Sequence, residues 1–589
     1  MNGCRAVCLA MGTVFTAGFL HLAVRLHEVQ VETAADYNYA SARQSIRRVR
    51  TSGVRGRIFD RHGAVLADNR KIVSLVCQPA AFQRRTWEGT AVEMCAAIDA
   101  VAAAIGRTVL PADAVIRRHV NRLSPLPFTV WRNLNAVELA RFCEHEQEFP
   151  GFSVLDEDER VYPNGALAAH AIGWVGATAA DAESGDERFY YIAQELHGKS
   201  GVEYQYDAFL SGVPGERKVL VDARGFAIRE WSVVEERKGP DLTLTLDSGL
   251  QRTVEQQLSG RRGACVVLDP RSGEILAFAS SPTYDLNVVR RMEKYERLSA
   301  DPGKPLLNRA SGGAYAPGST FKPVTALAAL SLGFPETAEY KCSGVFELGE
   351  MKLHCARRWG HGSLDLRHAL MVSCNPFFCN LGFEVGTNAL CAAARECGLG
   401  EKTGIDLGVD MGGVVPDGGW KMRMYHEKWY QGDLAQMAIG QGMLLVSPLQ
   451  MALLAGAIGT GYRVTPHLKA GLPPDRRRLP FAEHALKTVR EGMRLVVAGE
   501  DDVRGGGWRA GEGLAVPVAG KTGTAEVGRG GTRRKNTWFI AYAPSENPTV
   551  AVALVIENGE SGGVTAAPRV NAILRHVFGG RTEDGRRET

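Results

Sequence analysis

Between Arg5 and Arg25 the chain carries no formal charge, and residues 7–24 (VCLAMGTVFTAGFLHLAV) are long enough to cross a bilayer core as one helix. In lipid every backbone amide must be bonded within its own segment, so a helix is the conformation such a run is restricted to. The run is longer than the apolar part of a cleaved leader and no A-x-A-like site follows it, so it reads as an uncleaved anchor, with His21 an awkward residue for lipid. No second run of this length follows, which puts nearly all of the chain on one side of the membrane. Arg5 and the amino group favour a cytoplasmic N-terminus and an exported bulk, although Arg25 on the other flank pulls against that orientation.

A chain of 589 residues implies two to four domains. A net charge of +4 over that length gives no reason to propose nucleic acid as a partner. Residues 26–50 are polar with helical patterning and read as a stalk. Arg55-Gly56-Arg57-Ile58-Phe59-Asp60-Arg61-His62-Gly63 reads as two short strands about a turn. Arg160-Val161-Tyr162-Pro163, the stretch to His170, and Gly198 with Glu203 read as turns and strand edges with structural residues. Residues 86–105 and 136–147 read as helices.

From about Pro240 the character changes. Residues 241–246 alternate as a strand, and 248–258 form a helix capped by Ser248. Residues 264–268 and 274–279 make a hairpin, 537–542 and 550–555 a second one, and 568–578 a closing helix. Strands at both ends of a largely helical middle predict an α+β domain, one sheet sandwiched by helices. The resulting division is 1–27 for the cytoplasmic tip and anchor, 28–239 for a mixed α/β pedestal, 240–578 for the α+β domain and 579–589 for a polar tail.

That domain holds the chemistry. Ser319 and Lys322 lie one turn apart at the start of an apolar helix, so the lysine amine, if kept neutral, can take the proton of the serine hydroxyl. Ser373-Cys374-Asn375 follows the helical run 366–372, and Lys521-Thr522-Gly523-Thr524 lies at a strand edge before the last hairpin. Ser373 can relay a proton to a leaving amine and Asn375 can hold Lys322 and a substrate amide. Lys521 would lower the basic pKa of Lys322 by like-charge repulsion and attract a substrate carboxylate. Gly523 would admit a ligand close to the strand, and the amides of Thr524 and Ser319 could form an oxyanion hole.

S-x-x-K, then an S-D-N-type element, then K-T-G is the order found in penicillin-binding proteins and class A β-lactamases. With Arg55 to Gly63, Arg160 to His170 and Gly198 to Glu203 resembling the pedestal motifs, the chain resembles a class B penicillin-binding protein over nearly its full length. Trp429-Tyr430-Gln431-Gly432-Asp433 and Ile439-Gly440-Gln441-Gly442 are most like the penicillin-binding protein 2 branch, the elongation transpeptidases. The septal branch is the nearest alternative.

The resemblance implies a serine β-lactamase-like transpeptidase domain on a dimerisation pedestal. It implies a D,D-transpeptidase that cross-links peptidoglycan stem peptides through a serine acyl-enzyme and is acylated by β-lactams. It also implies the inner membrane with the catalytic domain outside, and as partners a SEDS-type glycosyltransferase and elongation-complex proteins. Cys342, Cys355, His361 and Cys374 resemble in position the zinc ligands of that branch, and Cys3His is a closed tetrahedral structural set. A Cys342 to Cys355 disulfide, free thiols, or His354 as ligand are the competing readings. A β-lactamase, a D,D-carboxypeptidase, and a membrane β-lactam sensor or inactive scaffold are the competing functions.

Overall fold

The computed structural model describes residues 2–34, 45–121, 126–177, 191–192, 196–223, 226–527 and 534–579. Most of the expected stalk (35–44) and of the polar tail (580–589) lies outside them. The anchor is a helix over Asn2–His27 that runs on through a single π turn, Glu28–Glu32. The span Leu9–Glu32 buries none of its length against the rest of the protein, as a helix solvated by lipid tails would.

The end of the expected helical stalk is instead a strand, Ile46–Thr51, paired antiparallel with Gly215–Val221, which pairs in turn with Ala227–Val234. Val49 and Thr51 are buried while Arg48 and Arg50 are not, and this alternation is strand periodicity. A second pedestal sheet is built on the long strand Val65–Cys77, which pairs with Ile58–Phe59, Phe128–Trp131 and Phe152–Val161. Two helices pack on it through Met94, Ile98, Val101 and Phe142. Trp87–Ile105 starts on a Thr86 cap and ends at left-handed Gly106. Ala136–His145 starts on an Asn135/Glu138 capping box and tightens into a 3-10 turn two residues before its expected end.

The scattered pedestal motifs meet in one buried joint. Both carboxylate oxygens of Glu203 are taken by guanidinium nitrogens, one at 2.6 Å from Arg55 and the other at 2.8 Å from Arg160, and the Tyr162 hydroxyl donates at 3.2 Å. Arg55 reaches Asp207 as well, at 2.7 Å. Asp60 accepts the amides of His62 and Ala64 inside its own turn and that of Ser248 across the domain boundary. Leu242–Thr243 pairs in parallel with Ile58–Phe59, and Tyr206 ties the pedestal to the catalytic domain by donating to Asp406 at 2.7 Å.

Of the strand expected at 241–246 only Leu242–Thr243 forms a ladder, because Leu244 turns to bridge Lys469. Asp247, one residue before the expected cap, caps the helix Ser248–Leu258 by accepting the amides of Gly249 and Leu250. Beyond it lies a five-stranded antiparallel sheet in the order Ile275–Ser281, Gly263–Leu268, Val550–Glu557, Arg534–Ala543, Ala519–Val527. Both expected hairpins are present. One face is covered by Ser248–Leu258 and Ala567–Phe578, through Leu250, Val254, Val570 and Leu574. The other packs on the helical middle, including Lys322–Ser331 and Pro448–Thr460. The strand carrying Lys521 is left at the edge of the sheet, facing that middle.

Candidate active site

Ser319 does not open an α-helix. It sits inside a 3-10 turn, Gly318–Phe321, and the α-helix begins at Lys322. The turn is gripped from two sides, and the strand that faces it is held as well. Gly318, at φ 56°, donates its amide to the Gly440 carbonyl at 2.8 Å. The Trp538 indole donates to the Ala316 carbonyl at 3.0 Å, and Gln441 donates to the Thr524 carbonyl at 3.2 Å on the facing strand. A Cβ on Gly440 would lie 2.0 Å from the Gly318 oxygen, so only glycine allows this approach. Among the described residues no side chain hydrogen-bonds the half-buried Ser319 hydroxyl.

Lys322 is fully buried, and its Nζ donates to the Ser373 carbonyl at 2.7 Å and to Asn375 Oδ1 at 2.8 Å, with Ser373 Oγ at 3.3 Å. From the opposite side Lys521 Nζ donates to the same Ser373 Oγ at 2.8 Å and to the Thr522 carbonyl at 3.1 Å. The Ser373 hydroxyl therefore stands between two lysines. Ser373 has φ 57°, a left-handed conformation costing a non-glycine residue about 1–3 kcal/mol, and the Ser373 and Cys374 amides, bonded back to Leu370 and Ala369, hold it there. The sequence carries no signal for that strain.

Burial lowers the Lys322 pKa to about 8. Lys521 is pushed well below its ordinary value, first by burial and then by the charge of Lys322. Burial is thus the first cause of the lowering at both amines, with repulsion between the two lysines beside it.

Gly523 also serves differently than expected. A Cβ there would lie 2.8 Å from both the Pro317 carbonyl and the Thr320 methyl, so the glycine admits the Ser319 turn. A Cβ on Gly318 would in turn lie 2.9 Å from the Thr524 carbonyl, so the backbones at Ser319 and Thr524 run side by side.

Behind Ser373 the ligand atoms of Cys342, Cys355, His361 and Cys374 all lie within 4.8 Å of one another, and His361 Nδ1 is 3.4 Å from Cys355 Sγ and 3.7 Å from Cys342 Sγ. Zinc–sulfur bonds of about 2.3 Å and zinc–nitrogen bonds of about 2.0 Å place tetrahedral ligand atoms roughly 3.5–3.8 Å apart, so the set fits that metal. The three cysteines are buried and unbridged. The hydrogen bond between Cys355 and Cys374 pulls the Cys355 thiol down and pushes that of Cys374 up. His354 is exposed and contributes only its carbonyl, which accepts from Asn375 Nδ2 at 2.8 Å.

Known proteins match this arrangement along the chain. Residues 263–575 fit the penicillin-binding protein transpeptidase domain, and residues 50–244 the penicillin-binding protein dimerisation domain. The peptidoglycan D,D-transpeptidase MrdA of Acinetobacter baumannii is 32% identical over 95% of this chain and 85% of its own. Penicillin-binding protein 2 of Helicobacter pylori, solved in complex with MreC, superposes with a TM-score of 0.78 at 28% identity, covering 91% of this chain and 99% of that one. A structure described as the structural coordination of polymerization and crosslinking by a peptidoglycan synthase complex gives 0.71 at 27% identity and covers 98% of each chain. The chain belongs to the class B penicillin-binding proteins, in the branch of penicillin-binding protein 2, and is a peptidoglycan D,D-transpeptidase of cell-wall elongation.

Proposed function

We propose that Ser319 carries the acyl group, with Lys322 as its base. The supporting observation is the hydrogen-bonded chain Lys521–Ser373–Lys322–Asn375 beside Ser319. A neutral amine has two N–H bonds and one lone pair. The Ser373 carbonyl and Asn375 Oδ1 accept both N–H bonds of Lys322, so the remaining lone pair, which Ser373 Oγ approaches at 3.3 Å, is the one place on that amine where a proton can be taken up.

Ser319 Oγ attacks the carbonyl of the penultimate D-Ala, and the amides of Ser319 and Thr524 receive the oxyanion. The proton passes through Lys322 and Ser373 to the departing D-Ala, whose carboxylate Lys521 and Thr522 hold. An amine of a neighbouring stem peptide then attacks the ester, where a carboxypeptidase would use water. Digestion and mass spectrometry of protein incubated with a penicillin should find the adduct on the peptide bearing Ser319. An adduct on any other residue sinks the assignment.

Zinc is the proposed occupant of the Cys342, Cys355, His361 and Cys374 set, as a structural ion bracing the Ser373–Asn375 turn from behind. The catalytic domain is placed outside the membrane, where stem peptides are cross-linked. The relatives solved with MreC and in a synthase complex support a SEDS-type polymerase and an MreC-like protein as partners.

Gly523→Ala should displace the Ser319 turn and slow acylation by penicillin about tenfold or more, with the circular dichroism spectrum retained. Wild-type acylation in that variant would show that the turn yields without cost.

A further inference from the structure

The helix that delivers Ser373, Leu366–Met371, carries His368, whose backbone carbonyl accepts the amide of Val372 just before the catalytic turn. Both ring nitrogens of His368 face carboxylates. Nδ1 is 2.6 Å from Asp365 Oδ1 on its own helix, and Nε2 is 2.7 Å from Glu500 Oε2, which comes from the segment after the helix Glu483–Ala498.

That segment is sharply built. Glu500 and Val503 exchange two backbone hydrogen bonds across Asp501 and Asp502, both left-handed, at φ 46° and 61°. A Cβ on Gly499 would meet the Val503 carbonyl at 2.5 Å, and one on Gly505 would meet the Val496 carbonyl at 2.2 Å. The segment then enters the active site. The Cβ position of Gly506 is 3.6 Å from Thr522 Oγ1 and 4.0 Å from the carbonyl of Met371, two residues before Ser373.

We propose that His368 is a positioning residue for the reaction: by bridging Asp365 and Glu500 it holds residues 499–507 against the turn that carries Ser373, and so fixes the spacing between Ser373 and Thr522. This rests on the role given to Ser373 above, which the adduct on Ser319 tests separately. His368 touches no substrate and acts through the two walls it joins.

The bridge is complete only as an imidazolium. A neutral ring has one N–H, so its other nitrogen turns a lone pair toward a carboxylate. Burial alone would lower the His368 pKa, but Asp365 and Glu500 together raise it above its ordinary value. The other charges facing the group are Arg367 on the same helix, 3.5 Å from Asp365, and the paired Glu491 and Arg494 on Glu483–Ala498. The helix Lys322–Ser331 and the strand Gly362–Leu364 also pack there, and their one charged side chain is Lys322, committed to Ser373 and Asn375. As pH rises through the raised pKa the ring loses its second N–H and releases one carboxylate.

The test compares acylation rates of the full chain in detergent for wild type, Glu500→Gln and Glu500→Ala, using a fluorescent penicillin from pH 6 to 9.5, with thermal unfolding as the control for folding. A glutamine amide can donate to the neutral ring, so Glu500→Gln keeps the bridge without a charge. The rate of wild type relative to Glu500→Gln should hold level at low pH and fall above neutrality, because the Lys322 titration is common to both and cancels. Glu500→Ala should be slower at every pH, by about tenfold. A flat ratio across the range, or wild-type rates in a folded Glu500→Ala, would overturn the proposal.

Discussion

Lys322→Ala should slow acylation by penicillin about a thousandfold at neutral pH, the scale of a lost general base. The amine is buried and is the base proposed for Ser319, while Lys521 is held by Ser373 and Thr522. The variant leaves the Ser373 carbonyl and Asn375 Oδ1 without their donor, so its melting temperature has to be read beside the rate. The wild-type pH profile gives an independent check. With a pKa of about 8, only about a tenth of Lys322 is neutral at pH 7, and acylation should climb with pH until that amine has lost its proton. A profile flat between pH 6 and 8, or rapid acylation in the folded alanine variant, would remove Lys322 from the base role.

Stripping the metal from the Cys342, Cys355, His361 and Cys374 set is the second large perturbation. Purified protein should carry one zinc per chain, and Cys342→Ser should lose it. Three buried thiols left without a cation repack or oxidise, and the turn that depends on Cys374 loses its backing. Removal by a strong chelator should lower the melting temperature by about 5 °C, a few kcal/mol on a domain of this size. It should slow acylation as well, because Ser373 and Asn375 flank one of the ligands. Folded, fully active protein free of metal would sink the zinc assignment. A mass two units low, with Cys342 bonded to Cys355, would establish the disulfide instead.

The family was legible because its marks are written in short segments. Ser319 with Lys322, Ser373 with Asn375, and Lys521 with Gly523 each announce a role through residue type and spacing, and their order names the family. The two hairpins of the sheet and the closing helix were equally plain, because period-two alternation and turn residues are local signals. What stayed hidden is tertiary. Nothing near Ser319 says that Gly440 and Trp538 grip its turn, or that Gly523 lets that turn in. Ser373 looks like any helix terminus until its left-handed backbone is seen. The pedestal motifs were read as separate turns, and only folding brings Arg55 and Arg160 onto opposite oxygens of Glu203. The strand Ile46–Thr51 was mistaken for stalk because six residues with three arginines carry little β signal without their partner Gly215–Val221.

The order of strands in the catalytic sheet also bears on biosynthesis. Gly263–Leu268 pairs on one side with its sequence neighbour Ile275–Ser281 and on the other with Val550–Glu557, from nearly the far end of the described chain. Closing that ladder requires a very large loop of chain to be gathered first, a slow and non-local step. The strand bearing Lys521 is added to the sheet only through Arg534–Ala543 and Val550–Glu557. A nascent chain halted before the last hairpin therefore presents Ser319 and Lys322 without the strand of Lys521 seated in the sheet. On the roles proposed above, such incomplete products would be inert toward the wall and blind to penicillin.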